Sequence, residues 1–328
     1  MFNPKVSVII MSYNQDEYID SAIKSVINQT YKNLEIIISD NGSTDKSKEI
    51  IENHANRDSR IIYLDYPENN KITVRQNKAA QVSTGDYISL LYGDDYYLEE
   101  KIYSQVKIFE NLSSDWGVVH GPGFREDVDT SNRVFSPVTK AHGESFLNLL
   151  ENFTDGFINP ISPLVSRECY LSNKSFEELF TEGEGVFFRF ALRYKFYYLD
   201  EPLVVMREHK TNMGKAIIKN GDVHSFCMKK IAEDPDFPIE FIKPLKKHES
   251  NHMFGVGFEC IRGNLNVKRG VELIRQSAKI YLPNFFRVKF LCVYLLSFFP
   301  IIMIRKMMIF LSYIFNWDHQ KSLEDYYS

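Results

Sequence analysis

The chain has 328 residues, 44% hydrophobic and 25% charged, with a formal net charge of −4. That length holds one large α/β domain with additions, or two domains. The composition excludes disorder, and the acidic balance gives no support to nucleic-acid binding. Four scattered cysteines (Cys169, Cys227, Cys260, Cys292) include no C-x-x-C pair. Reduced cytosolic thiols fit them better than disulfides or zinc. No basic-then-apolar leader opens the chain, so export is not expected. Triplets such as Asn28-Gln29-Thr30 then carry no weight as glycosylation sites. No repeat or low-complexity stretch is present.

In chain order, the first hundred residues read as β-α-β-α units. Val6, Val8, Ile9 and Ile10 form a β-branched run suited to a strand buried on both faces. Asn14 is placed to cap the next helix, with Glu17 three residues on. Tyr18, Ile19, Ala22, Ile23, Val26 and Ile27 recur at helical spacing. Leu34, Ile36, Ile37 and Ile38 make a second strand. Gly42 breaks it, and Asp45 can cap a helix through Ile50 and Ile51. Ile61–Leu64 and Tyr87–Leu91 are further strands around a helix at Ile72–Val82, and Leu98 to Leu112 stripe another helix. This alternation implies a mostly parallel sheet. Trp116–His120 reads as a strand, Gly121–Pro137 as loop or hairpin around Asp129–Asn132, and residues 182–195 as a helix. Tyr197–Leu199 and Leu203–Met206 are short strands, and the pattern is helical after about residue 215.

Two acidic clusters close two of these strands. Leu34–Ser39 runs into Asp40-Asn41-Gly42-Ser43-Thr44-Asp45, and Tyr87–Leu91 into Tyr92-Gly93-Asp94-Asp95. Carboxylates at the carboxyl ends of parallel strands sit where open α/β sheets bind ligands. They suggest a site for a nucleoside diphosphate and its metal.

Three segments, in order, carry a family resemblance. "VSVIIMSYNQDEYIDSAIKSVINQTYKNLEIIISDNGSTD", "TGDYISLLYGDD" and "DEPLVVMREHKTNMG" resemble the opening, metal-binding and closing signatures of family-2 glycosyltransferases. The resemblance runs from Lys5 to about Gly214 and is strongest over residues 5–98. It implies a GT-A fold with a catalytic domain over 1–215: a nucleotide-binding half to about 98 and an acceptor half beyond it. Residues 216–328 form a helical extension. The implied reaction is inverting transfer of a sugar from a UDP-sugar to an acceptor hydroxyl. Mn²⁺ or Mg²⁺ would neutralise the departing diphosphate.

Residue by residue, the resemblance puts Asp95 nearest the metal, Asp94 between ribose and metal, and His209 in the metal shell. A further family Asp is replaced by Tyr92. Asp40 would accept the N3–H of uracil, or form an Asx turn preparing Gly42. Tyr13 would stack on the base, or pack as an ordinary aromatic. Arg75 and Asn77 match the family's Arg-x-Asn; Arg75 would reach the donor's phosphate or sugar, or sit as an ordinary surface Arg, and Arg207 would reach the diphosphate. The family's base is an Asp, and Gly183 stands in its place. Glu184, or alternatively Glu182, would deprotonate the acceptor; otherwise both only favour a helix start. The other histidines are read as lacking ligand spacing.

Phe285 to Phe315 has no acidic residue, and Phe290–Ile304 is uncharged between Lys289 and Arg305-Lys306. With Pro300 inside, this run is shorter than the roughly 20 residues that span a bilayer. It reads as an in-plane membrane anchor, or as a helical hairpin packed internally or on a second subunit in a homodimer. An anchor suits a lipid-linked saccharide acceptor in bacterial surface polysaccharide assembly, at the cytoplasmic face of the inner membrane. The competing reading of the whole is a silent nucleotide-binding scaffold. A nucleotidyltransferase or dehydrogenase is disfavoured, because neither G-x-G-x-x-G nor a P-loop follows the first strand. A membrane module on an inert scaffold is the remaining alternative.

Overall fold

The computed structural model describes residues 2–152, 157–210, 212 and 217–314. Met213-Gly214, the end of the closing signature, and Phe315 lie outside them. The chain divides into two compact units, one of residues 1–149 and 156–210, the other of 150–155 and 211–328.

The first unit opens with β1 (Val6–Ser12), α1 (Ile19–Ile27), β2 (Leu34–Asp40), α2 (Ser47–Ala55), β3 (Ile61–Asp65) and α3 (Ile72–Val82). It continues through β4 (Tyr87–Tyr92), β5 (Tyr96–Tyr97), α4 (Lys101–Phe109), β6 (Trp116–His120), β7 (Gly123–Asp127) and β8 (Arg133–Ser136). Then come α5 (Phe146–Glu151), which runs into the second unit, β9 (Leu164–Ser166), α6 (Arg167–Ser172), α7 (Gly185–Arg193), β10 (Lys195–Tyr198) and β11 (Val204–Glu208). Among the described residues the main sheet has the order β10-β6-β9-β4-β1-β2-β3. β1 lies parallel to both β2 and β4, and every residue of β1 and β2 is buried. That double burial is why their sequences are unbroken Val/Ile runs.

A second sheet, β5-β11-β7-β8, lies beyond the end of β4. Its β7–β8 hairpin turns at residues 127–132, with Ser131 at φ +55°. Two-residue β5 pairs antiparallel with β11, Tyr97 opposite Val204 and Tyr96 opposite Val205. This short ladder carries residues 207–209, at the end of β11, back to the Asp94-Asp95 turn.

Asn14 is not the helix cap expected of it. α1 starts later, behind Tyr18, with no side-chain cap. Asn14 instead adopts φ +50° and accepts the Thr44 N–H at 2.8 Å. Asp45 accepts the amides of Ser47 and Asp16 at 2.9 and 3.0 Å. It thus starts α2 and ties the loops after β1 and β2 together.

The second unit holds α8 (Ile217–Ala232), α9 (Ile242–Arg262), α10 (Val267–Ile280), α11 (Val288–Leu296) and α12 (Ile301–Ile314). α9 and α10 cross through two glycines: a Cβ on Gly270 would come within 2.6 Å of the Gly257 carbonyl oxygen, and one on Gly257 within 2.8 Å of that of Gly270. Phe290, Val293, Leu296, Ile304 and Met308 form a core with Phe254, Phe258 and Ile274. The same two last helices and the turn between them leave other apolar side chains exposed, with Leu295 54%, Phe298 59% and Phe310 62% exposed. The tail is therefore an internally packed hairpin that also keeps an apolar outer face. No helix among the described residues is long and apolar enough to cross a membrane.

Candidate active site

The carboxyl ends of β1, β2 and β4 converge on one rim. β2 ends on Asp40, which is fully buried and accepts the amide and hydroxyl of Ser43 at 2.9 and 2.5 Å. The Asx turn is thus realised. A carboxylate has about four lone-pair sites, and Ser43 takes two of those of Asp40. Gly42 follows at φ +81°, and a Cβ there would collide with the backbone of Glu68 and Asn69 at 2.5 and 2.7 Å. Tyr13 is 44% exposed on this rim, an aromatic face open to stacking.

Arg75 and Asn77 are each engaged with protein groups. The Arg75 guanidinium stacks 3.6 Å from the Tyr66 ring centroid and donates to Asn41 Oδ1 and the Glu68 carbonyl. It clamps the 66–70 loop. Asn77 donates to the Ser175 carbonyl and Glu177 Oε1 and accepts the Ser175 amide, tethering α3 to the 175–177 segment.

After β4 the chain turns at Gly93, where a Cβ would strike Gln15 Oε1 at 2.3 Å. Asp94 and Asp95 follow. Asp94 Oδ2 lies 3.2 Å from His209 Nε2, and the His209 ring stacks on Tyr18 at 5.2 Å. Asp95 Oδ1 accepts the Arg207 backbone N–H at 2.9 Å. Burial, then the charge of Asp94, push the Asp95 carboxyl well above the usual range, while Arg207 pulls it back. The Arg207 side chain donates to the Asp94 carbonyl and to Ser21 Oγ, and lies 4.6 Å from the Tyr96 ring centroid. The structure therefore gathers Asp94, Asp95, Arg207 and His209.

Among the described residues, no three His, Cys, Asp or Glu groups are set to hold a metal. Mg²⁺-type sites commonly use one or two carboxylates and complete the shell with substrate phosphates and water. Asp94, Asp95 Oδ2 and His209 fit that pattern.

The two candidate bases differ sharply. Glu182 is buried in an ion pair with Arg189. Its Oε2 also accepts Arg189 Nη2 and the Phe176 amide, each at 3.0 Å. Arg189 in turn donates to the carbonyls of Asn173 and Lys174. Glu182 thus fastens the 173–176 turn to α7 and is not placed to take a proton. Glu184 precedes α7, and its side chain does not cap that helix. Burial pushes its carboxyl up to about 8, with Arg125 acting the other way. Gly183 between them has φ +57° and no heavy atom within 4 Å of where a Cβ would sit. Together with Tyr92, Tyr170 and Glu182 it lines a cavity beside β4. The Glu182–Arg189 pair went unread in the sequence; an Arg seven residues on, in a helix otherwise apolar on its inner face, was its one signal.

With this geometry in view, the comparisons are specific. Residues 7–165 match the model of Glycosyl transferase family 2. That match covers just under half of the chain and lies almost wholly in the amino-terminal unit. A family relative, an uncharacterised glycosyltransferase of Haemophilus influenzae, is 36% identical over 118 residues, 36% of this chain and 46% of the relative. The Escherichia coli enzyme UDP-Glc:alpha-D-GlcNAc-diphosphoundecaprenol beta-1,3-glucosyltransferase WfaP is 39% identical over 105 residues, 32% of this chain and 41% of the enzyme. The chain thus spans under half the length of these two. Among solved structures, Staphylococcus aureus TarS in complex with UDP-GlcNAc aligns with TM-score 0.63 and 17% identity, covering 84% of this chain and 81% of TarS. The Pyrobaculum calidifontis mannosyltransferase in complex with GDP-Man and Mn²⁺ aligns with TM-score 0.60 and 16% identity, covering 97% and 89%. Those likenesses carry the fold, which is GT-A.

Proposed function

We propose that the chain is a metal-dependent, inverting glycosyltransferase that moves a sugar from a UDP-sugar to a hydroxyl of a lipid-linked saccharide. The observation that carries this reading is the convergence of Asp94, Asp95, Arg207 and His209 at the carboxyl end of β4. The family match and the UDP-GlcNAc complex of TarS support the donor class. The printed activity of WfaP, on a diphosphoundecaprenol-linked sugar, supports the acceptor class and a role in surface polysaccharide assembly.

In this reading Mn²⁺ or Mg²⁺, bound with the diphosphate, supplies charge neutralisation for the leaving group. Asp94, Asp95 and His209 orient that end of the donor, and the Arg207 guanidinium adds fixed positive charge nearby. Asp40 accepts from the base and Tyr13 stacks on it. Glu184 takes the proton from the acceptor hydroxyl as the new bond forms. Its elevated carboxyl makes the anion a competent base near neutral pH. We place the protein on the cytoplasmic membrane face through the outer side of α11 and α12. Apolar Leu295, Phe298 and Phe310 and exposed Arg287 and Lys306 suit an anionic lipid surface.

Transfer of labelled sugar from a UDP-sugar panel to a GlcNAc-diphospho-lipid, with Mn²⁺, Mg²⁺ or EDTA, tests the chemistry. Metal-dependent transfer supports the reading, and no turnover with any donor removes it. Flotation with anionic vesicles tests the membrane face; failure of the full chain to float removes that part alone.

A further inference from the structure

The second unit holds three buried histidines that the proposed chemistry does not use. His248 and His252 stand four residues apart on α9, in the run His248-Glu249-Ser250-Asn251-His252. An H-E-x-x-H run puts two imidazoles on one helix face, a spacing that binds zinc. His224 of α8 faces them. Its Nε2 is 2.8 Å from His248 Nε2, and its ring centroid is 4.0 Å from that of His252. All three residues are buried, at 5, 5 and 6% exposure.

The proton on His248 can be placed. Its Nδ1 lies 2.8 Å from the Leu150 carbonyl oxygen, which only accepts, so Nδ1 carries the hydrogen. In the neutral ring Nε2 is then a lone pair aimed at His224. Metal-bound histidines are held this way, with the far nitrogen donating to a carbonyl and fixing the tautomer. Burial pushes all three imidazoles below their ordinary value, which keeps them neutral as ligands must be.

We propose that His224, His248 and His252 form a structural binding site for a divalent first-row cation of the zinc type, joining α8 to α9. The rings are not spaced as a finished shell: among the described residues no three such groups meet that standard. Zn–N bonds of about 2.0–2.1 Å in a tetrahedron separate two nitrogens by about 3.3 Å. The 2.8 Å pair must therefore open by about half an ångström, through rotation of the His224 and His248 rings about their side-chain torsions. Burial distinguishes this site from a hydrolytic zinc centre, which keeps an open position for substrate.

The test uses the full chain without a histidine tag. Elemental analysis after purification, after EDTA dialysis and after Zn²⁺ add-back gives the stoichiometry. Co²⁺ titration followed by visible absorption gives the ligand geometry. The expected result is about one zinc per chain, a thermal midpoint that falls on chelation and recovers with Zn²⁺, and a tetrahedral Co²⁺ spectrum. His224→Gln and His252→Gln each lose the metal. Asp94→Asn with Asp95→Asn keeps it, which separates this site from the donor site. Should the histidine variants fail to fold, the wild-type Co²⁺ spectrum and chelation response decide alone. Wild-type protein that takes up no Zn²⁺ or Co²⁺ and melts identically with and without EDTA overturns the proposal, as does zinc retained by the folded histidine variants.

Discussion

Asp94 and His209, 115 positions apart in the chain, meet at 3.2 Å between Oδ2 and Nε2. The contact exists because two-residue β5 hydrogen-bonds to β11 and delivers residues 207–209 to the turn after β4. His209 is thus held against Asp94 and Tyr18 rather than standing as an isolated surface histidine. His209→Ala should weaken metal-dependent UDP binding by about tenfold or more, on the order of 1.4 kcal/mol. UDP binding in EDTA should change little. Calorimetry under the two conditions checks this, and equal losses in both would mean that His209 touches the nucleotide directly.

Glu184 and Glu182 should fail in different ways. Glu184→Gln should lower kcat by about 10²–10⁴ while leaving the fold intact. The wild-type rate should rise with pH through about 8, because the base must be ionised and burial holds its carboxyl there. The linked stability has the opposite sense. A carboxyl raised in the folded state favours the fold below its unfolded value, and that contribution is lost as pH rises through about 8. Glu184→Gln should therefore melt higher than wild type above pH 8 and alike below pH 4. Glu182→Gln, by contrast, leaves Arg189 buried and unpaired, and should cost about 3–5 kcal/mol of stability. Stopped assays across pH and thermal melts separate the two outcomes.

Gly183 offers a complementation test. Asp tolerates positive φ better than most residues, and a Cβ at Gly183 meets nothing within 4 Å. In a Glu184→Gln background, Gly183→Asp should recover part of the lost rate. No recovery, with the double variant folded, would mean that an acid at 183 does not reach the acceptor proton.

At the opposite end of the sheet, Glu35 is a stability element. Burial alone would raise its carboxyl, but bonds from Ser7 Oγ, the Thr84 amide and hydroxyl, and Lys5 outweigh it and hold it at about 2. Its contribution is present above its unfolded value of 4.5 and is lost as pH falls through about 2. Glu35→Gln should cost about 3 kcal/mol at pH 7, and the gap to wild type should close towards pH 2. Urea melts at the two pH values measure it.

Legibility in the sequence followed the physics of each element. β1 and β2 are buried on both faces, so their Val/Ile runs announce them locally. β9 and β5, of three and two residues, have no pattern of their own and exist through their partners. β9 pairs antiparallel with both β4 and β6. At the site, the acidic pair after β4 was readable because a Gly-Asp-Asp turn ends an apolar strand. The engagement of Arg75 with Tyr66 and of Asn77 with Ser175 was not, since those partners lie in loops without periodicity. Asn14 shows the same limit: a residue suited to capping serves a long-range tie to Thr44, and the cap position falls four residues later, at Tyr18.

The most direct test of the account is calorimetric titration of UDP, with and without Mn²⁺, into wild type and Asp95→Ala. The account predicts binding that tightens with Mn²⁺ in wild type and loses that gain in the variant. Wild-type binding indifferent to Mn²⁺, or an Asp95→Ala variant that keeps the full metal effect, would contradict it.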